Sequence, residues 1–270
     1  MKVENNPKRP EIVYSCYYQK SREGENFVSE HVLSYQLSGS LVLNDGKTEY
    51  AAAPGSLRFI KRNQLLKFVK YPPADGEFKS ITLYLTQQAL KEFSLKYAVF
   101  ANHKTDEEPV LLLETNLLMK NYFDALLAYH HADALNDPKM TALKVNEAIL
   151  LLLQLRPDLQ NVLFDFNDPF KIDLEAFMNQ NFYFNVSLER FAYLTGRSLA
   201  AFKRDFASVF GLTPGKWLLQ KRLQEAHYLI KQKGKHASDI YLDLGFEDLS
   251  HFSFAFKKQF GQSPGKINLT

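Results

Sequence analysis

Residues 249–267 read LSHFSFAFKKQFGQSPGKI. Phe252, Phe256 and Phe260 are four residues apart, so they share one face of a helix and form an apolar stripe. Gly261 then stands where a left-handed helix cap is expected, and Pro264 cannot continue that helix. The phrase occurs a second time, 50 residues earlier, as LAAFKRDFASVFGLTPGKW at 199–217. Identities fall at Leu199/Leu249, Phe202/Phe252, Phe206/Phe256, Phe210/Phe260, Gly211/Gly261, Pro214/Pro264, Gly215/Gly265 and Lys216/Lys266. Upstream, SLERFAYLTG ends in Gly196 and ASDIYLDLG ends in Gly245. Each unit is therefore predicted to be a short helix, a glycine turn and a second helix, the helix-turn-helix pattern.

An aromatic stripe by itself is only core. Function has to be read from the residues between the phenylalanines, which are Lys203 and Arg204 in the first unit and Lys257 and Lys258 in the second. A helix with an apolar inner face and a basic outer face suits a negatively charged groove. The balance of charge agrees. Residues 171–270 carry 14 Lys and Arg against 9 Asp and Glu, while residues 1–170 carry 19 against 21. The segment WLLQKRLQEAHYLI between the units is amphipathic and long enough to hold them in fixed relation.

Three stretches, SLERFAYLTGRSLAAFKRDFASVFGLTPGKW, KRLQEAHYLI and IYLDLGFEDLSHFSFAFKKQFGQSPGKI, together resemble the DNA-binding domain of the AraC/XylS family of bacterial transcription regulators. Gly245-Phe246, Ser250, Phe252, Phe256, Phe260, Gly261 and Pro264 carry the match most specifically. The resemblance implies two helix-turn-helix units on one long helix, each offering a recognition helix to a major-groove half-site of promoter DNA. It also implies RNA polymerase as a partner and activation as the usual sign of regulation. Carried over by position, the first recognition helix spans about Ser198–Ser208 and presents Ser198, Ala200, Lys203 and Arg204. The second spans about Asp248–Lys258 and presents Leu249, Ser250, His251, Ser253 and Phe254, with Lys257 and Lys258 as phosphate anchors. Position 254 departs from the family pattern, where Arg is usual, so the first unit is expected to read sequence more strongly. Lys and Arg can donate to guanine O6 and N7, or bind phosphate only.

The N-terminal part is expected to be a different body. HVLSYQLSGSLVLNDGKTEYAAAPGSLRFIK (31–61) and QLLKFVKYPPADGEFKSITLYLT (64–86) alternate short apolar runs with turn residues, among them Asn44-Asp45-Gly46 and Pro54-Gly55, which predicts a small sandwich or barrel over the first hundred residues. Helical spacing follows at about 110–156, with Leu112, Met119, Phe123, Leu126 and Leu127 on one face and Pro157 as the stop. Those helices either pack on a twin, giving a homodimer, or cover the barrel. The loop near 167–169 and the change in charge place a boundary between domains 1–165 and 170–270. The fold class is thus two-domain α+β, a β-barrel with a helical hairpin followed by an all-α domain.

Residues 39–70 resemble, more weakly, the cupin-like sensor barrels that precede this DNA-binding domain in many regulators. The resemblance implies an effector-binding or partner-binding role. The competing reading, a cupin-type metal-dependent isomerase or oxygenase with a helical appendage, needs a histidine cluster, and His31 is the sole histidine before residue 103. No cofactor or catalytic residue is expected. His130 and His131 diverge on a helix and read as a solvated helix end rather than a metal pair. The single cysteine, Cys16, excludes a disulfide framework and reads as an inert thiol in a strand. Tyr14, Tyr17, Tyr18 and Tyr35 either line a pocket or lie on the barrel surface. A polar N-terminal stretch and the absence of a long apolar run point to a cytoplasmic protein with no membrane span.

Overall fold

The computed structural model describes residues 10–22, 26–105 and 107–267. The chain divides into two compact units, Met1–Asn167 and Asp168–Thr270. The polar stretch before Pro10 lies outside the described residues.

The first unit is built on a five-stranded antiparallel sheet. Its strands are β1 (Ile12–Tyr17), β9 (Phe78–Leu85), β3 (His31–Ser38), β6 (Leu57–Ile60) and β10 (Val110–Leu113), in that spatial order. A three-stranded sheet of β5 (Glu49–Ala52), β4 (Ser40–Asn44) and β8 (Lys67–Tyr71) covers one side, with a small pair β2 (Phe27–Val28) and β7 (Gln64–Leu65). The Asn44-Asp45-Gly46 turn forms as the sequence predicts. Asn44 accepts from the Gly46 amide, Asp45 accepts from the Lys47 and Thr48 amides, and Gly46 takes a φ of 94°.

Side chains alternate across the pleat, so the large sheet has two buried faces. Leu33, Tyr35, Leu57, Phe59, Ile81 and Leu83 point to the helical side. There they meet α1 (Gln87–Tyr97), α2 (Leu117–His131), α3 (Pro138–Leu155) and the one-turn α4 (Gln160–Leu163) through Phe93, Phe123, Leu126, Ile149, Leu152 and Leu163. Val32, Ile60, Phe78 and Val110 point the other way and meet Leu41, Leu43 and Ala52 of the small sheet.

Two expectations change here. Leu112 is not on a helix. Residues 110–113 pair with β6 as an edge strand, and the helix starts only at Leu117, where the Asn116 side chain accepts from the Met119 amide. The run VLLL satisfies either periodicity, and the free edge of β6 decides for a strand. Within the first hundred residues, α1 is a helix the β reading did not include. Thr86 caps it by accepting from the Ala89 amide, and Ala98 closes it in the left-handed region.

The second unit is all helix. Its elements are α5 (Leu174–Asn181), α6 (Leu188–Leu194), α7 (Leu199–Phe210), α8 (Pro214–Lys233), α9 (Ala237–Ile240) and α10 (Leu249–Phe260). The sequence predicts helix throughout ASDIYLDL, but regular helix stops at Ile240. The chain then coils through turns in which the Leu244 amide donates to Ile240 and the Phe246 amide to Tyr241. These bonds place Gly245 at a φ of 83°, so the turn glycine stands where its counterpart Gly196, at 66°, stands in the first unit.

Candidate nucleic-acid interface

Each repeated motif packs a small core against its own stretch of α8. In the first, Phe202 and Phe206 of α7 are buried, and Phe206 and Phe210 pack on Trp217 at ring distances of 5.5 and 4.6 Å. In the second, Phe252 and Phe256 are buried with Leu223, Ala226 and Ile230 of α8, while His227 stacks on Phe260 at 4.6 Å. Burying such rings contributes roughly 2–3 kcal/mol apiece. The stripe is therefore scaffold in both copies.

The two matching helices, α7 and α10, start and stop alike. Ser198 caps α7 by accepting from the Ala201 amide, and Asp248 caps α10 by accepting from the His251 amide. Gly211 and Gly261 end the helices with φ of 66° and 77°, their amides donating to Ala207 and Lys257.

The outward faces differ. On α7, Ser198, Ala200, Lys203 and Arg204 are all exposed, followed one turn later by Ala207 and Ser208. On α10, Ser250, His251, Phe254, Lys257 and Lys258 are exposed, Ser253 is half-buried and Leu249 is 38% exposed. The matching positions thus carry cations in the middle of α7 and in the last turn of α10. Phe254 stands where the first unit has Arg204, and it is 70% exposed, which is unusual for so large an apolar side chain.

Two further arginines hold this surface in place. The buried Arg197 side chain lies 3.2 Å from Asp205 and donates to the carbonyls of Ile172 and Thr195. Arg197, with Lys171 and Arg204 also nearby, holds the Asp205 carboxyl below its ordinary value, so an anion remains fixed beside the exposed cations of α7. Arg222 of α8 donates to the carbonyls of Phe182, Phe184 and Gly245 at 2.7, 2.8 and 2.9 Å, tying the first core to the turn of the second. Burial lowers its pKa to about 10, leaving it cationic. The sequence reading missed both. A cation in an amphipathic helix looks like a surface group, and only the backbone carbonyls gathered around Arg222 reveal its role.

The remaining candidates of the first unit separate cleanly. His31 is buried against Phe59, its Nδ1 accepts from the Arg62 amide, and burial pulls its pKa down to about 3, which makes it a neutral core group. His130 and His131 are exposed, with His130 stacked on Tyr14 at 4.8 Å. Tyr35 stacks on Phe123 on the helical side, Tyr18 is exposed, and Tyr17 lines a cavity between the sheets. Cys16 is half-buried on β1, and desolvation together with Glu77 raises its pKa, the opposite of thiol activation. Among the described residues no group of three or more His, Cys, Asp or Glu could hold a metal ion, and no helix is long and apolar enough to cross a membrane.

Residues 31–166, just over half of the chain, match the family model described as ExsA N-terminal regulatory domain, and residues 191–268 match a helix-turn-helix domain model. The chain belongs to the AraC/XylS family of transcriptional regulators. Within that family it is 26% identical to the HTH-type transcriptional regulator ExsA of Pseudomonas aeruginosa over 94% of this chain and 91% of that protein. The virulence regulon transcriptional activator VirF of Yersinia enterocolitica is 32% identical over 36% of each chain. Among solved structures, an AraC-type DNA-binding domain from Chromobacterium violaceum is 30% identical over 34% of this chain and 83% of its own, with a TM-score of 0.32. The AraC/XylS assignment accounts for the duplication: the repeated motifs are the two helix-turn-helix units of one domain.

Proposed function

We propose that this regulator binds promoter DNA by placing α7 and α10 in two major-groove half-sites, with α7 the stronger reader, and that it activates transcription through contact with RNA polymerase. The observation that carries the reading is the pair of capped helices whose outer faces stay clear of the core, with Lys203 and Arg204 exposed on the first. Arg and Lys at these positions suit guanine edges or phosphates, whereas Ser250 and His251 offer shorter polar contacts and Phe254 offers a face for a thymine methyl. Lys257 and Lys258, a turn or two further on, suit phosphates flanking the second site. Activation is supported by the similarity to VirF, a transcriptional activator.

The first unit is the input domain in this account. Its two facing sheets support the cupin-like reading, and it receives either a small molecule or a regulatory protein. The exposed Leu117, Leu118, Leu143 and Leu150 of α2 and α3 supply an apolar surface for a homodimer, which would raise avidity for paired sites. The test is genome-wide mapping of bound DNA with the full chain. An enriched motif of two half-sites near promoters supports the reading. Binding with no enriched motif, or none to DNA at all, refutes it.

A further inference from the structure

The cavity between the two sheets of the first unit has a volume of about 290 Å³, near the small end of ligand pockets, which run from about 300 Å³ upward. Its walls are largely apolar, with Val28, Val32, Leu41, Ile60, Phe68 and Phe78 contributing from both sheets. One group does not belong in such a place. Arg58 of β6 is 2% exposed, lies opposite Ser34 of β3 in the sheet register, and lines this cavity with its charged end inside the protein.

Its partners are neutral. One terminal nitrogen donates to the Ser34 hydroxyl at 2.8 Å and the other to the Gln36 side-chain oxygen at 3.1 Å. Both acceptors are themselves fixed, Ser34 by the Thr82 hydroxyl at 2.9 Å and Gln36 by the carbonyls of Ser38 and Lys79. The guanidinium is thus held in place, yet its Nε has no hydrogen-bond partner. Among the described residues lining the cavity none is acidic, and its second cation, Lys70, sits over the Tyr17 ring at 3.8 Å. A buried charge without a counter-ion costs several kcal/mol, and removing the cation altogether would be the simpler solution for a core. The Nε edge of a guanidinium is the geometry that receives the two oxygens of a planar carboxylate. A single negative charge matches the single unneutralised guanidinium, and the apolar walls suit a short hydrocarbon body.

We propose that this cavity binds a compact monocarboxylate, with its carboxylate on the free edge of Arg58 and its apolar body between the sheets. The inference rests on the reading of the first unit as the input domain for its regulatory consequence, while the site itself stands on the geometry alone.

The experiment is calorimetric titration of the full chain with cyclohexanecarboxylate and with hexanoate, using the neutral cyclohexanecarboxamide as control. At least one of the acids is expected to bind saturably at one site per chain, with the amide weaker by at least about tenfold, the loss expected when a charged hydrogen bond is removed. R58M is expected to abolish binding. S80L, which fills the cavity from the same sheet face without replacing Arg58 or its acceptors, is expected to abolish it as well, so the result does not depend on R58M folding. The proposal is overturned if neither acid binds at millimolar concentration, if the amide binds as well as the acid, or if binding survives in folded R58M or in S80L. A DNA gel shift on the same samples separates the two readings. Acid binding that leaves DNA affinity unchanged upholds the site and refutes ligand-driven input through it. Intact DNA binding with no acid binding refutes the site and leaves the DNA-binding reading standing.

Discussion

Gly245→Ala should be far more damaging than its sequence neighbours suggest. Gly245, Gly211 and Gly261 all adopt positive φ, at 83°, 66° and 77°. An alanine in that region costs about 1–2 kcal/mol, part of which is offset by the smaller entropy of its unfolded chain. A Cβ on Gly211 or Gly261 would meet nothing within 4 Å, so G211A and G261A are expected to cost about 1 kcal/mol each. On Gly245 it would lie 2.7 Å from the Tyr183 carbonyl oxygen and 2.9 Å from the guanidinium carbon of Arg222. Relief requires moving Arg222 away from its carbonyls, and each charged hydrogen bond lost costs about 1.5–3 kcal/mol. G245A should therefore destabilise the second unit by about 3–5 kcal/mol. The assay is urea unfolding followed by Trp217 fluorescence, which reports on this unit because Trp217 is the sole tryptophan. If G245A and G211A shift the midpoint equally, the Arg222 tie does not hold the two cores together.

Two other outcomes follow from the same structure. His31 has a folded pKa near 3 against an ordinary 6.5, so the unfolded chain binds the extra proton first. Stability of the first unit is complete above about pH 6.5 and should fall as the pH drops from there towards 3, and H31Q should flatten that dependence in thermal unfolding followed by circular dichroism. Phe254→Arg gives the second unit the cation its first-unit counterpart already has. It should tighten binding to any duplex and steepen the logarithmic salt dependence by about 1, with unfolding unchanged because the side chain is exposed.

The 50-residue repetition made the second unit legible in detail. Phenylalanine spacing, the cap glycines and the Pro after each cap are local signals, and each one acts within a single turn of helix. The first unit was less legible because its decisions are made between elements. VLLL at 110–113 becomes a strand only because β6 has an open edge, and no local residue says so. Arg58 lies in SLRFIK, where alternation points it inward, yet the sequence gives no sign that its neighbours across the sheet are Ser34 and Gln36 rather than a carboxylate. Arg197 and Arg222 were hidden for the same reason, since their acceptors are mostly backbone carbonyls, which every residue carries. Which residues of α7 and α10 are exposed, by contrast, follows directly from helical geometry once the buried stripe is known.

On the proposed reading, one scaffold is used twice with unequal reading heads. That inequality is tested most directly by equilibrium binding of the full chain to a mapped promoter site across a salt series, comparing wild type, the K203A/R204A double variant and the S250A/H251A double variant. K203A/R204A is predicted to lose at least about tenfold in affinity and up to about 2 units of salt slope, with S250A/H251A losing less and keeping its slope. Unchanged affinity and slope in K203A/R204A, alongside lost binding in S250A/H251A, would contradict it.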